Sequence, residues 1–395
     1  MKVLMFGWEF PPHSIGGLGR VCFNLVKNLS DKNVDIIFVM PRGNTDLKFG
    51  KFISLENSRI RIKRVNSPLV GYMTSAQYTR EVLSGKKPYI YGRDLFEEVE
   101  NYTKMAIEAI ADEEYEIIHA HDWMTFKAGI AAKKLSGKPL VVHVHSTEFD
   151  RSGEGMNQHV FEIEKSGLEY ADAVITVSNY TKDKIIKYYG ISPEKIHVVH
   201  NATTFEDYTV DKQIKKNHKI VLFLGRVTFQ KGPDHFLKAA KKVLEHDNDV
   251  KFVIAGSGDM ESYIIEKAAE LGIAGSVLFS GFLKEEEINR IYQLADVYVL
   301  PSVSEPFGIT VLEAMKNGVP TIVSKNSGVT EVIRHCLRVD FWDTHEMSNK
   351  ILALLKYDVL HNSVKQNGLN EVSTMSWHKP AERCIEIYKG LLGGV

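Results

Sequence analysis

Cysteine is scarce in this sequence: three in 395 residues, Cys22, Cys336 and Cys384, far apart and forming no CxxC pair. That excludes a disulfide framework and a thiolate metal site, and it favours a reducing, cytoplasmic compartment. An excess of either charge is also lacking, with Lys+Arg 49 against Asp+Glu 50. No broad electrostatic grip on nucleic acid or on an anionic membrane follows from such a balance. No apolar run approaches the ~18 residues of a spanning helix. The opening run Lys2-Val3-Leu4-Met5-Phe6-Gly7 soon meets Glu9 and two prolines, so it reads as a first strand rather than a signal peptide. Low-complexity tracts are absent. What is present is globular, 44% hydrophobic and 25% charged, in a chain long enough to build two cores.

One pattern occurs twice. Lys2–Gly7 opens the chain and Lys219-Ile220-Val221-Leu222-Phe223-Leu224-Gly225 reopens it past the middle, each an apolar run ending in glycine before a loop and a helix-period segment. Further apolar runs at 34–40, 117–120, 140–144 and 173–177 follow the first, and at 251–256, 277–281, 295–301 and 320–324 the second. Helical spacing marks 95–111, 233–245, 260–271, 285–294 and 309–317. Buried parallel strands with crossover helices give this alternation, so two doubly wound α/β domains are expected. Residues 1–203 form the first and 219–375 the second. A linker at 204–218, rich in lysine and without periodicity, joins them. Closing helices are expected at 347–369 and 376–392, the latter within a terminal segment 376–395.

Open α/β sheets bind ligands beyond the carboxyl ends of their strands, which directs attention to four segments. Pro301-Ser302-Val303-Ser304-Glu305-Pro306-Phe307-Gly308 leaves one such strand end, and a helix starts near Gly308 with Ile309, Thr310 and Val311 in its first turn. Its unpaired amides and partial positive charge suit a diphosphate. Glu305 stands outside that helix start and Glu313 more than a turn inside, so the two address different parts of one extended ligand. Gly225-Arg226-Val227-Thr228-Phe229-Gln230-Lys231-Gly232 follows another strand end and offers Arg226 and Lys231 to the same diphosphate. The alternative, a pair of surface cations at a βα loop, is outweighed once the pair is set beside the glutamate loop.

The third segment, Ser14-Ile15-Gly16-Gly17-Leu18-Gly19, lets backbone amides approach an anion or a sugar through Gly16 and Gly17. The fourth is a pair, His119-Ala120-His121-Asp122-Trp123 and His143-Val144-His145-Ser146. Metal ligation, core histidines and sugar hydrogen bonding are all open to it; substrate contact is favoured, through His145 and Asp122, and no metal is expected. Asp247-Asn248-Asp249 has the spacing of a metal–diphosphate site but precedes its strand, so it reads as a solvated turn.

Taken together these residues resemble the retaining GT-B glycosyltransferases, glycosyl transferases group 1, and among them the glycogen and starch synthase relatives. The resemblance covers nearly the whole chain. It implies a GT-B fold, two Rossmann-like domains facing a central cleft. It implies that Glu305 contacts the transferred sugar and Glu313 the ribose, while Gly308, Ile309 and Thr310 contact sugar and phosphate. By the same resemblance Arg226 and Lys231 bind the diphosphate and His145 lies near the anomeric centre. Asp122 is the acid of the His-Asp-Trp segment, and Gly256 and Phe282 belong to loops beside the donor. Ser14 stands where starch and bacterial glycogen synthases carry lysine, which leaves UDP-glucose and ADP-glucose both open. The expected activity is retaining glucosyl transfer from a nucleotide-glucose to an α-glucan, with no cofactor, no nucleic acid and no transmembrane segment. Two other readings are a transferase using another nucleotide sugar, such as a mannosyl donor, on a lipid or small-sugar acceptor, and a non-catalytic nucleotide-sugar-binding protein.

Overall fold

The computed structural model describes residues 1–10, 17–41, 59–67, 95–153, 155–204 and 218–393. Ser14, Gly16 and linker residues 205–217 lie outside the described residues. Two compact units are present: residues 1–148, 157–201 and 377–395 make the first, and 149–156 with 202–376 the second.

The first unit is built on a parallel sheet of seven described strands, in the order β3-β2-β1-β4-β5-β6-β7. These are β1 (Lys2–Phe6), β2 (Asp35–Pro41), β3 (Ile60–Val65), β4 (Ile117–His121), β5 (Leu140–Val144), β6 (Ala173–Thr176) and β7 (Ile196–Val198). β4 and β5 are buried at every position, which is why they read as continuous apolar runs. β3, with the sequence IRIKRV, alternates charge with Ile and Val and lies at the sheet edge, so its apolar signal is weak. Helices α1 (Gly17–Asp31), α2 (Leu95–Ala109) and α3 (Trp123–Ser136) cross between strands. The chain's last helix, His378–Leu391, returns to this unit and packs against α1, with Lys32 Nζ 2.6 Å from Glu382 Oε1.

The second unit repeats the plan with six described strands in the order β10-β9-β8-β11-β12-β13, again all parallel. They are β8 (Lys219–Leu224), β9 (Val250–Ala255), β10 (Val277–Gly281), β11 (Val297–Leu300), β12 (Thr321–Ser324) and β13 (Leu337–Val339). Its core gathers Val221, Phe223, Phe236, Phe252, Ile254, Val297 and Val299 around the sheet. The expected helix 347–369 is two, Thr344–Lys356 and Asp358–Ser373, separated at Tyr357.

In each sheet the strand order reverses once, between β1 and β4 and between β8 and β11. Doubly wound sheets bind ligands at such switch points, beyond the strands' carboxyl ends. β8 and β11 are direct neighbours, with Val221 opposite Val297 and Leu222 opposite Tyr298. The loops that leave them are therefore brought together although they lie far apart in sequence.

Candidate functional site

The loop after β8 folds through Gly225 and Arg226 into a short 3-10 turn, Phe229–Lys231, while the loop after β11 runs from Pro301 to Gly308. Backbone bonds lock the two together: Val303 N–H donates to the Gln230 carbonyl at 3.0 Å. Gly232 lies so close that a Cβ there would meet the Pro301 carbonyl oxygen at 2.3 Å. At this junction Lys231 Nζ donates to Glu305 Oε2 at 2.6 Å, and Ser302 Oγ donates to the same oxygen at 3.1 Å. The side chains are 18% and 7% exposed, so the ion pair is largely withdrawn from water. Arg226 donates through a guanidinium nitrogen to Gln230 Oε1 at 3.2 Å.

The Glu305 backbone is held as firmly as its carboxylate. Its N–H donates to the Asn326 carbonyl, and its own carbonyl accepts from Gly328 N–H, both at 2.9 Å. Gly308 then turns the chain at φ +107° and starts the helix Ile309–Lys316 without a side-chain cap. The first-turn amides of Ile309 and Thr310 have no intrahelical acceptor, whereas Val311 N–H donates to the Gly308 carbonyl at 3.1 Å. Two tyrosines brace that helix from within the unit. Tyr298 donates to Thr310 Oγ1 at 2.8 Å, and Tyr292 donates to the Thr310 carbonyl at 3.1 Å and to Glu313 Oε2 at 3.2 Å. Burial pushes the Tyr298 hydroxyl's pKa far up, so it acts as a neutral donor. Val311 is fully buried and contributes backbone only. Gly256 leaves β9 at φ +128°, and a Cβ there would lie 2.0 Å from the Gly225 carbonyl oxygen. Phe282 is 59% exposed.

The first unit presents its own cluster at β4 and β5. Asp122 follows β4 with φ +57°, a left-handed value rare for a residue with a Cβ. Its buried Oδ1 accepts the His145 backbone N–H at 2.7 Å. That bond fixes the segment that carries His145. Nδ1 of His121 and Nε2 of His145 are 2.9 Å apart. Burial, aided by mutual repulsion, holds His119, His143 and His145 well below the usual imidazole range, and burial alone pushes His121 down to about 3. All four are neutral at physiological pH. Gly17 begins α1 exposed, with open space where a Cβ would stand.

Residues 15–206 match the family described as Glycosyltransferase Family 4, and residues 204–389 match Glycosyl transferases group 1. The chain is 32% identical over 352 residues to an uncharacterized glycosyltransferase of Methanocaldococcus jannaschii, an alignment covering 85% of this chain and 83% of that protein. This chain belongs to the group 1 glycosyltransferases. A glycogen synthase of Mycobacterium tuberculosis is 26% identical over 347 residues, covering 84% of this chain and 80% of its own. The solved structure of Anabaena Alr3699/HepE in complex with UDP-glucose superposes with a TM-score of 0.74 at 20% identity, over 99% of this chain and 100% of that one. The transferase thus has the GT-B type of fold, with two Rossmann-like, parallel-sheet domains.

Within the glycosyltransferase, the second unit brings Arg226, Lys231, Glu305 and the Gly308 helix start into one loop cluster. Sequence reasoning missed the residues that hold them: Gln230, Ser302, Asn326, Tyr292 and Tyr298. The sequence shows a polar Gln230 between Arg226 and Lys231; that it is buried, and so must find a partner, is seen only in the structure. Among the described residues no helix is long and apolar enough to cross a membrane.

Proposed function

We propose that the protein is a retaining glucosyltransferase that moves glucose from UDP-glucose or ADP-glucose to an α-glucan, with no required cofactor. The observation that carries this reading is the Lys231–Glu305 pair seated beside the start of the Ile309–Lys316 helix. A cation, a carboxylate and unpaired helix amides in one loop cluster match the three demands of a sugar diphosphate: phosphate charge, sugar hydroxyls and close backbone approach. The UDP-glucose bound by HepE supports the donor class, and the glycogen synthase relative supports the glucan acceptor.

In this reading Arg226, Lys231 and the amides at Gly308, Ile309 and Thr310 hold the diphosphate, while Val311, whose N–H donates to the Gly308 carbonyl, closes the turn beneath them. They take up the charge that grows on it as the anomeric C–O bond breaks. An ammonium has three donors and Glu305 occupies one, so Lys231 serves carboxylate and phosphate together. Glu305 orients the sugar and Glu313 the ribose; Gly16, Gly17, Gly256 and Phe282 complete the donor contacts. His145, fixed by Asp122, touches the sugar near its anomeric carbon. The acceptor oxygen bonds to that carbon on the face the phosphate leaves, and its proton passes to the departing phosphate oxygen. A covalent glycosyl intermediate on Glu305 is disfavoured, because Oε2 already accepts from Lys231 and Ser302. The free thiols of Cys22, Cys336 and Cys384 support a reducing, cytoplasmic location.

A matrix of UDP-, ADP- and GDP-sugars against glycogen, maltose and lipid acceptors tests the proposal, with product linkage read by NMR. An α-glucosyl product from UDP- or ADP-glucose on glycogen or maltose is expected. A β-linked product would rule out retention. Turnover confined to a mannosyl donor with lipid or small-sugar acceptors would replace the glucan reading, and donor binding without any product would leave a nucleotide-sugar-binding protein.

A further inference from the structure

Inside the first unit, His119 and His121 on β4 and His143 on β5 project from one face of the sheet, as residues two apart on a strand must, and His145 follows just past the end of β5. Their rings form a two-by-two patch. His119 and His121 stack at 4.4 Å between centroids, and His143 and His145 at 4.2 Å. Across the strands His119 lies 5.4 Å from His143, and His121 lies 5.2 Å from His145. The first three are at most 1% exposed, while His145 is only half-buried at the strand end.

A neutral imidazole has one N–H and one lone pair, and burial makes both costly to leave alone. Among the described residues, Nε2 of His119, Nε2 of His121 and both nitrogens of His143 are enclosed without a hydrogen-bond partner. Whichever tautomer His143 adopts, it strands a donor. The other nitrogens of the first two rings are engaged: His119 Nδ1 lies 2.5 Å from the Tyr388 hydroxyl, and His121 Nδ1 lies 2.9 Å from His145 Nε2.

We propose that His119, His121 and His143 form a binding site for a divalent transition-metal ion of the zinc, cobalt, nickel and copper class. One ligand nitrogen from each ring lies within 4.8 Å of the others. Metal–nitrogen bonds of about 2.0–2.1 Å place tetrahedral ligand atoms roughly 3.3 Å apart, and small ring rotations about χ2 close the difference. Three imidazoles without a carboxylate or thiolate select that class over magnesium or calcium. The outer contacts of two of the three rings fit as well. With Nε2 on the metal, His119 and His121 each carry their proton on Nδ1, donating to Tyr388 Oη and to His145 Nε2. Ligating histidines are oriented by such outward bonds. The ion would sit beneath His145 and fix its tautomer, with Nε2 accepting and Nδ1 protonated. This site does not depend on which donor or acceptor the transferase uses.

The test uses the full-length protein, stripped with a chelator and titrated with Co2+, followed by competition with Zn2+. Expected are a single cobalt ion per chain with the visible absorption of a low-coordinate nitrogen site, its displacement by zinc, and a higher melting temperature on zinc addition. His119→Gln and His143→Gln should abolish the absorption. Tyr388→Phe, which keeps the ring and spares the fold if the histidine variants fail to accumulate, should weaken affinity about 10- to 100-fold. No cobalt spectrum at micromolar metal, or a cobalt affinity unchanged by Tyr388→Phe and by whichever histidine variants fold, overturns the proposal.

Discussion

The loops after β8 and β11 and the strand ends of β4 and β5 both bury polar side chains at the carboxyl end of a parallel sheet, yet they treat them differently. In the second unit the groups are charged and answered: Lys231 meets Glu305, Ser302 supports the same oxygen, and Arg226 rests on Gln230. In the first unit the four histidines are neutral, and several of their ring nitrogens have no partner. A charge removed from water must be paired, or it neutralises by shifting its pKa. The Lys231–Glu305 pair takes the first course and the histidines the second. Charge retained in the folded state marks the place suited to a charged ligand such as a diphosphate. Charge suppressed by burial leaves imidazoles that act as lone-pair donors or hydrogen-bonding groups.

The largest test of that contrast is Lys231→Ala. It strands a carboxylate that is 7% exposed and removes a cation from the proposed diphosphate contact. Turnover should fall about 10²- to 10³-fold, with stability lowered by up to about 3 kcal/mol. Near-normal turnover with every donor would disprove the diphosphate role. Glu305→Gln should cost similar activity, and the double variant should be less damaged than the sum of the two, since each single change leaves the other group unpaired. Additive losses in a denaturation series would mean the pair is not coupled.

Next come the glycines, which compare a crowded position with an open one. Gly256→Ala forces a Cβ to within 2.0 Å of the Gly225 carbonyl oxygen at φ +128°, and should destabilise by about 3 kcal/mol or more. Gly17→Ala meets nothing within 4 Å and should change stability by less than about 1 kcal/mol. Thermal melts of the two variants check this directly; equal shifts would mean that the second unit's loop yields more easily than its packing implies. Tyr298→Phe follows. It strands Thr310 Oγ1 and the Leu224 carbonyl, both now bonded by the phenol, for about 1–3 kcal/mol and a weaker donor KM.

How much of this was legible in the sequence depends on distance along the chain. Strands buried on both faces announce themselves as apolar runs, so β1, β4, β5, β8 and β11 were readable, as was the helix beginning after Gly308. Edge strand β3 was not, because its Arg61, Lys63 and Arg64 mask the period. The residue types of the site were visible, and so was their position at strand ends. Their pairing was not. Lys231 and Glu305 are 74 residues apart, and His119 and Tyr388 are 269 apart; only the β8–β11 pairing and the return of the last helix to the first unit bring them into contact. Asp122 shows the same limit. That its Oδ1 accepts the amide of His145, 23 residues away, could not be read from the local segment.

The smallest expected effect asks whether suppressed charge is a property of the first unit or of its buried strand ends. Glu113, before β4, is bonded by Lys63 Nζ at 2.7 Å and by an Arg61 guanidinium nitrogen at 2.8 Å, both cations coming from β3. The Lys63 bond, reinforced by Arg61, holds its carboxyl below the usual glutamate range. A carboxyl whose folded pKa is depressed contributes stability that is complete above its unfolded value, and loses it as pH falls through the folded one. Melting temperature should therefore drop on acidification below about pH 4.5, near the ordinary glutamate value. Glu113→Gln should flatten that limb. Because Arg61 and Lys63 are partly exposed, the whole effect should stay within about 1 kcal/mol and shrink in high salt. An acid limb unchanged by Glu113→Gln would mean that this pair contributes nothing in water. Its loss with the substitution would show that the first unit does keep paired charge where water is near, and that burial at β4 and β5 is what leaves the histidines neutral.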